Sequence, residues 1–232
     1  MNSPSFHLLT GRINPKDHLQ QYKDTSHFLE AKTLENFLKL QVAAKTEINA
    51  QLEIISSYRD FSRQESIWNR KVSGELKILD DNERVINPKN YSQKELITKI
   101  ARFSAIPGAS RHHWGTDIDI YDASQIKKEE VKLIHSECVD NGPCAKLHEW
   151  LDQKINNDES FGFYRPYAKD LNGVAVERWH LSYAETAQNY FSNYTLELFI
   201  ENLKQSNTLL KQPLIKNAQS YFNKFVTNIS FP

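Results

Sequence analysis

The sequence carries no excess of charge of either sign. Lysine plus arginine number 29, aspartate plus glutamate also number 29, and the formal net charge is zero. Proteins that bind nucleic acid or an acidic membrane surface usually carry a basic excess. The composition therefore predicts neither a nucleic-acid partner nor a membrane-surface partner.

Long apolar runs are also lacking. No stretch approaches the roughly 18 apolar residues that a membrane-spanning helix needs. The N-terminal segment has neither the basic start nor the apolar run of a signal peptide. We therefore expect no membrane span and a cytoplasmic location, or a periplasmic one if a preceding segment has been removed.

Cysteine is scarce, with only Cys138 and Cys144 in the whole chain. They flank VDNGP, a turn-forming stretch. A small disulfide loop would imply an oxidising compartment, whereas two free thiols would suit a cytosolic protein. The sequence leaves both alternatives open.

What is present indicates an ordinary globular protein. The chain has 232 residues, 39% of them hydrophobic and 25% charged, which is enough for a sizeable core. Hydrophobic periodicity predicts many helices and two short strands, QLEIISSY and GTDIDIYD, and hence a single-domain α+β fold. The predicted helices cover about 33–50, 61–74, 93–103, 127–156 (one or two helices), 184–206 and the tail after Pro213.

The stretch SRHHWGTDIDI, residues 110–120, concentrates polar side chains on a predicted turn and strand. A turn at Gly115 could bring the imidazole of His112 to the carboxylate of Asp119. Asp117 and Asp119 share one face of the strand and repel each other unless something positive lies nearby. A divalent cation, an arginine or plain solvent could each reduce this repulsion.

A second stretch, ERWH, supplies Glu177 and His180. Two histidines and one aspartate would form a three-ligand set that leaves a fourth position for water, as in catalytic zinc sites. A glutamate near that water could act as general base. Taken alone, ERWH could equally be a core Trp179 beside an exposed glutamate.

Together these two stretches resemble a known family of zinc peptidases. Ser-x-His-x-x-Gly-x-x-x-Asp at 110–119, followed by Glu-x-Trp-His at 177–180, resembles the VanY-type D-alanyl-D-alanine carboxypeptidases, which are grouped with VanX and, in fold, with the hedgehog domain. SSYRDFSRQ at 56–64 is similar to a third family segment. All three blocks occur in the family's order.

The resemblance implies a small antiparallel sheet surrounded by helices. It implies a zinc peptidase domain over 31–204, preceded by an extension of unknown role at 1–30. Residues 205–232 would form a C-terminal helical extension packed on the domain. The oligomeric state is not predicted.

The resemblance also implies the metal ligands. His112, Asp119 and His180 would bind one Zn²⁺ ion. His113 would be a bystander, on the surface or behind the ligands. Asp117 stands where the family usually has a small residue, so its carboxylate could compete with Asp119 or orient a neighbour.

Four further residues take roles by the same resemblance. Glu177 would be the general base, and Arg59 would stabilise the transition state and contact substrate, with a surface salt bridge to Asp60 or Glu65 as its alternative. Ser110 would bind the substrate's terminal carboxylate. Gln64 is predicted at the substrate site as a supporting residue.

The function implied is removal of the C-terminal D-alanine from peptidoglycan stem peptides. An L,D-carboxypeptidase that trims tetrapeptides in wall recycling suits a cytoplasmic location. A D,D-carboxypeptidase acting on pentapeptides is the alternative, followed by a peptidoglycan endopeptidase. A non-catalytic relative of the same fold is disfavoured because Glu177 is present.

Overall fold

The structure, a computed structural model, describes residues 4–232 and contains short strands embedded among helices. The helices are α1 Phe6–Leu9, α2 Pro15–His18, α3 Ala31–Ile48, α4 Phe61–Ser73, α5 Gln93–Ala101, α6 Ala145–Asn156, α7 Ala184–Asn193, α8 Leu196–Lys204, α9 Lys211–Lys216 and α10 Ala218–Phe225. The strands are β1 Gln20–Gln21, β2 Phe28–Leu29, β3 Leu52–Ser56, β4 Ile78–Leu79, β5 Val85–Ile86, β6 Asp117–Asp122, β7 Phe163–Tyr164 and β8 His180–Tyr183. Turns of 3₁₀ helix lie at Pro88–Asn90, Arg111–Trp114, Lys128–Glu130 and His135–Glu137.

The main sheet has four antiparallel strands in the order β3-β6-β8-β7. Side chains alternate between the faces of a strand, so Ile118 and Ile120 of β6 enter a core while Asp117 and Asp119 point the other way. Helices α3 and α6 cover the apolar face. The predicted α+β fold with a small antiparallel sheet is confirmed. This core includes Phe37, Leu40, Leu52, Ile54, Leu147, Leu151 and Leu181.

A second core is almost entirely helical. It joins α4, α5, α8 and α10 around the buried indole of Trp68. The last helix contributes Tyr221, Phe222 and Phe225 to it, so the C-terminal segment packs on the rest of the chain. The N-terminal segment also enters the cores, through Leu9 and Leu29. The division of the chain at residues 30 and 204 stays a prediction.

Two of the predicted helical regions are shorter than expected. Residues 127–144 form only two 3₁₀ turns, because Leu133 and Asp140 have positive φ values of 55° and 52°. The carboxylate of Glu137 also accepts hydrogen bonds from backbone N–H groups there, which competes with a helix. The region 184–206 is two helices, since the hydroxyl of Thr195 caps a new helix by accepting from the N–H of Leu198.

Two predicted helix boundaries are confirmed. Helix α4 ends at Gly74 in the left-handed conformation, and Ser92 starts α5 with a capping box to Glu95. Cys138 and Cys144 are both buried free thiols, and burial raises the pKa of Cys138 to about 12. Within residues 4–232 the structure has no helix with the length and apolar character needed to cross a bilayer.

Gly115 joins the 3₁₀ turn at Arg111–Trp114 to β6 and has a φ of 71°. A Cβ atom at this position would lie 2.9 Å from Leu19 Cδ2 and 3.1 Å from the backbone nitrogen of Glu30. The carbonyl of Gly115 accepts a hydrogen bond from that same nitrogen. Only glycine therefore fits the turn that delivers residues 112 and 119 to one place.

We expect Gly115→Ala to lower the free energy of unfolding by about 2–4 kcal/mol, because left-handed strain adds to overpacking. Gly74→Ala is the matched control. Gly74 has a φ of 84°, but a Cβ atom there would meet only the ring of Pro88, at 3.2 Å. We therefore expect Gly74→Ala to lower the free energy of unfolding by only about 1 kcal/mol. Urea denaturation measures both, and equal losses would contradict the close contact at Gly115.

Candidate active site

His112 lies in the 3₁₀ turn Arg111–Trp114, just before β6. Its carbonyl accepts a hydrogen bond from the backbone N–H of Arg59 at 3.0 Å. Its Nδ1 lies 3.0 Å from the carbonyl oxygen of Ser57. Because a carbonyl can only accept, Nδ1 carries the proton and Nε2 keeps its lone pair.

Asp119 and His180 meet across two neighbouring strands. They are direct partners in the register of β6 and β8, and paired side chains on one sheet face lie close together. Asp119 Oδ1 is 3.1 Å from His180 Nδ1, and Oδ2 is 3.3 Å from His112 Nε2. One carboxylate thus touches both histidines.

The three donor atoms form a compact set. A ligand atom from each of His112, Asp119 and His180 lies within 4.8 Å of the others, and all three residues are buried. Two imidazole nitrogens and one carboxylate oxygen suit a catalytic Zn²⁺ site, although other divalent ions can use the same donors. The structure brings together the three residues that the sequence predicts as ligands.

The charges around this set favour a cation. Burial opposes the charged form of His180, but hydrogen bonds to Asp117 and Asp119 outweigh it and raise its pKa to about 9. Burial likewise opposes ionisation of Asp119, yet the two histidines hold its pKa well below the usual range. A site that stabilises both a carboxylate and a positive partner suits a bound metal ion.

Glu177 stands beside the donor set. Its Oε2 lies 3.6 Å from His180 Nδ1, and its backbone N–H donates to the carbonyl of Tyr167 at 3.1 Å. Burial raises the pKa of Glu177 to about 7, with Asp119 raising it further and Arg59 opposing the shift. A carboxyl group near neutrality can both take up and release a proton.

Arg59 is held with its guanidinium in the site. Nη1 donates to Gln64 Oε1 at 2.7 Å, and Nη2 donates to Ser56 Oγ at 3.0 Å. Gln64 is buried, and its other polar atom, Nε2, donates to the carbonyl of Ala105 at 2.7 Å. These bonds favour the supporting role for Gln64, which orients Arg59. Its placement among the substrate-contacting residues stays a prediction.

The predicted alternative for Arg59, a surface salt bridge, does not form within residues 4–232. Asp60 caps α4 by accepting from the backbone N–H of Arg63 at 2.7 Å. Glu65 accepts from the hydroxyl of Thr208 at 2.9 Å. The Nε atom of Arg59 is buried and has no hydrogen-bond partner among the described residues. Arg59 therefore has donor capacity to offer a substrate.

A cleft of about 610 Å³ opens over these groups, a volume typical of small-molecule sites. Arg59, Ser110 and Glu177 all line it. Among residues 4–232, no hydrogen bond engages the hydroxyl of Ser110, although the residue is buried. A free hydroxyl on the cleft wall is compatible with the predicted contact to a substrate carboxylate.

Lys71 and Tyr167 are cleft residues that the sequence analysis did not identify. Lys71 of α4 lines it and donates to Ser104 Oγ at 2.6 Å, and burial lowers its pKa. Tyr167 places its ring 5.0 Å from that of His180, between ring centroids. The aromatic loop FGFYRPY was the only available signal for Tyr167, and a lysine on a polar helix carries none.

His113 is buried behind the ligands, so its predicted surface alternative is wrong. Its Nδ1 donates to the carbonyl of Arg59 at 2.6 Å, and its Nε2 accepts from the backbone N–H of Gly108 at 3.1 Å. Burial lowers the pKa of His113 to about 3. It is a neutral structural residue that fastens the backbone of Arg59.

A buried pair of histidines and an aspartate, with a carboxyl group of raised pKa in the same cleft, defines a metallopeptidase type of site. The family model of VanY, D-alanyl-D-alanine carboxypeptidase, matches residues 26–186, more than half of the chain. The chain therefore belongs to the VanY family and is a peptidase of the carboxypeptidase type.

Individual proteins and a solved structure are similar to parts of this chain. An uncharacterized protein of Haemophilus influenzae is 36% identical over 103 residues, covering 43% of this chain and 68% of its own length. A D-alanyl-D-alanine carboxypeptidase of Enterococcus faecalis is 29% identical over 133 residues, or 56% and 39% of the two chains. A solved Zn(II) complex of a mutant vancomycin resistance D,D-pentapeptidase VanY has a TM-score of 0.51 at 22% identity, covering 77% of this chain and 84% of its own.

Substitution of the two adjacent histidines, His112 and His113, should affect metal binding and stability differently. We expect His112→Ala to abolish tight binding of a divalent ion, because one of three donors is lost. His113→Ala should keep the ion but lower the free energy of unfolding by about 2–4 kcal/mol, because buried partners lose their hydrogen bonds. Calorimetric titration with Zn²⁺ measures the first effect and thermal denaturation the second. Loss of the ion in His113→Ala alone would contradict these assignments.

Proposed function

We propose that this protein is a zinc-dependent carboxypeptidase that removes the C-terminal D-alanine from peptidoglycan stem peptides. The observation that carries the proposal is the buried His112, Asp119 and His180 set with Glu177 beside it in one cleft. Two comparisons support it. The enterococcal relative is a D-alanyl-D-alanine carboxypeptidase, and the solved VanY structure is a Zn(II) complex.

The donor set fits one Zn²⁺ ion. His112 would hold it through Nε2 and His180 through Nδ1, because these are the two nitrogens that face Asp119. The other nitrogen of each ring faces an oxygen outside the donor set that can accept its proton. A carboxylate oxygen of Asp119 would complete the protein ligands. When bound, such an ion polarises a carbonyl and lowers the pKa of water toward ~7.

Glu177 would transfer a proton from the attacking water to the leaving amine. Its Oε2 takes a proton from the attacking water while the water oxygen bonds to the scissile carbonyl carbon. The same atom then delivers the proton to the amine of the leaving D-alanine as the C–N bond breaks. Burial raises the pKa of Glu177, which makes its carboxylate a stronger proton acceptor.

The cleft would hold substrate through Arg59 and Ser110. Arg59 has donors left over after its bonds to Ser56 and Gln64, and these would stabilise negative charge that develops on the carbonyl oxygen. The free hydroxyl of Ser110 would bind the terminal carboxylate of D-alanine. Gln64 would keep the guanidinium in place.

We further propose L,D specificity, with tetrapeptide stems as substrates and a role in recycling wall fragments in the cytoplasm. A cytoplasmic enzyme that cut D-Ala-D-Ala would remove a residue that wall synthesis requires. The two free thiols are compatible with a reducing compartment. The alternative is D,D specificity on pentapeptides, and the similarity to the enterococcal D-alanyl-D-alanine carboxypeptidase and to a D,D-pentapeptidase supports it.

Substitution of Glu177 should separate catalysis from metal binding. We expect Glu177→Ala to lower kcat by about 10²–10⁴-fold or more, because the proton acceptor is gone, while bound zinc stays stoichiometric. His180→Ala should lose both activity and zinc. Atomic absorption and alanine release measure the two properties. A Glu177→Ala variant with most of its activity would refute the general-base role.

The substrate proposal is tested by mass spectrometry of muropeptides. The zinc-loaded protein is given tetrapeptide and pentapeptide stems in parallel, with Glu177→Ala as the inactive control. We expect loss of one alanine from the tetrapeptide alone.

Other products would decide between the alternatives. Loss from the pentapeptide alone would replace L,D by D,D specificity. Cross-linked stems are given as a third substrate, and their cleavage into fragment pairs without free alanine would make the protein an endopeptidase. No product from any of these substrates would refute the proposed function.

A further inference from the structure

Asp117 is fully buried and engages three donors. Its Oδ1 accepts from Arg111 Nε at 2.7 Å and lies 2.9 Å from His180 Nε2. Its Oδ2 accepts from the hydroxyl of Thr116 at 2.6 Å. Both carboxylate oxygens are therefore occupied by protein groups. Asp117 also lies outside the compact donor set of His112, Asp119 and His180.

His180 consequently sits between two carboxylates. Its Nδ1 faces Asp119 Oδ1 at 3.1 Å, and its Nε2 faces Asp117 Oδ1 at 2.9 Å. An imidazole that ligates a metal must present a bare nitrogen to it, and the partner of the other nitrogen decides which one is bare. Because Asp119 belongs to the donor set and Asp117 does not, a metal ion would displace the proton from Nδ1, and Nε2–H would stay donated to Asp117.

We propose that Asp117 is the positioning residue of the metal site and is not itself a ligand: it orients His180, fixes its tautomer and increases its strength as a ligand. This inference rests on the proposed metallopeptidase function. The other histidine, His112, has only the neutral carbonyl of Ser57 behind it. A hydrogen bond to a charged acceptor makes an imidazole more basic than a hydrogen bond to a neutral one. His180 should therefore be the stronger of the two histidine ligands.

Arg111 explains how a second carboxylate can lie so close to Asp119. Its Nη2 donates to Ser182 Oγ at 2.7 Å and to the hydroxyl of Tyr164 at 3.1 Å, so the guanidinium is fixed. The ion pair with Arg111 compensates the negative charge of Asp117. The competing account is that Asp117 serves only as the counter-ion of Arg111.

The test is zinc affinity, measured by competition with a chromophoric chelator on the full-length protein. We expect Asp117→Asn to bind Zn²⁺ about 10–100-fold more weakly than wild type. Asp122→Asn is the matched control on the same strand. The buried carboxylate of Asp122 accepts from the N–H groups of Gln51 and Ser124, outside the donor set. We expect its zinc affinity to stay within about threefold of wild type.

Arg111→Met separates the two accounts, because it removes the arginine and leaves the Asp117–His180 contact. The proposal predicts that this variant loses thermal stability yet binds zinc more tightly than Asp117→Asn. Equal losses of affinity in the two variants would overturn the proposal in favour of the counter-ion account. Wild-type affinity in Asp117→Asn would also overturn it.

The wild-type protein offers a measurement that does not depend on the variants folding. In the zinc-loaded protein, long-range ¹H–¹⁵N NMR should show that His180 carries a proton on Nε2 and none on Nδ1. The opposite tautomer would overturn the inference even where zinc binds normally. If the wild-type protein binds no zinc, the proposed function fails instead, so the two failures are distinguishable.

Discussion

The register of β6 against β8 is the constraint on which the site depends. Asp119 lies opposite His180, and Asp117 lies opposite Ser182. Because side chains alternate along a strand, a slip of one residue would turn both carboxylates into the apolar core and Ile118 into the cleft. The buried isoleucines therefore favour the pairing that assembles the metal ligands, since a slip of one residue would expose them.

The turn that carries His112 is anchored from both sides. Trp114 packs in the helical core, while Ile118 packs in the core beneath the sheet. Between them, His113 holds the backbone of Arg59, and Gly115 allows the sharp change of direction. The turn is thus held rigidly by packing and hydrogen bonds, which is what a preorganised ligand needs.

Much of the site could be predicted because three short segments, in order, resemble those of a known family. Taken alone, the residues at 110–120 and 177–180 left a metal site and a purely structural role both open. Asp117 is different. The sequence placed it on the correct face of the strand but left open whether it competes as a ligand or orients a neighbour, because Arg111 and His180 reach it only in the folded chain.

Local patterns determined the helix caps at Ser92 and Gly74, the strand alternation of residues 117–122 and the α+β class, since each depends on neighbours within a few residues. The break before Thr195, the burial of His113 and the presence of Lys71 in the cleft were decided only by tertiary structure. Each rests on contacts between distant segments, such as His113 with Arg59 and Lys71 with Ser104. Such contacts follow from packing and strand register, which no short stretch of sequence contains.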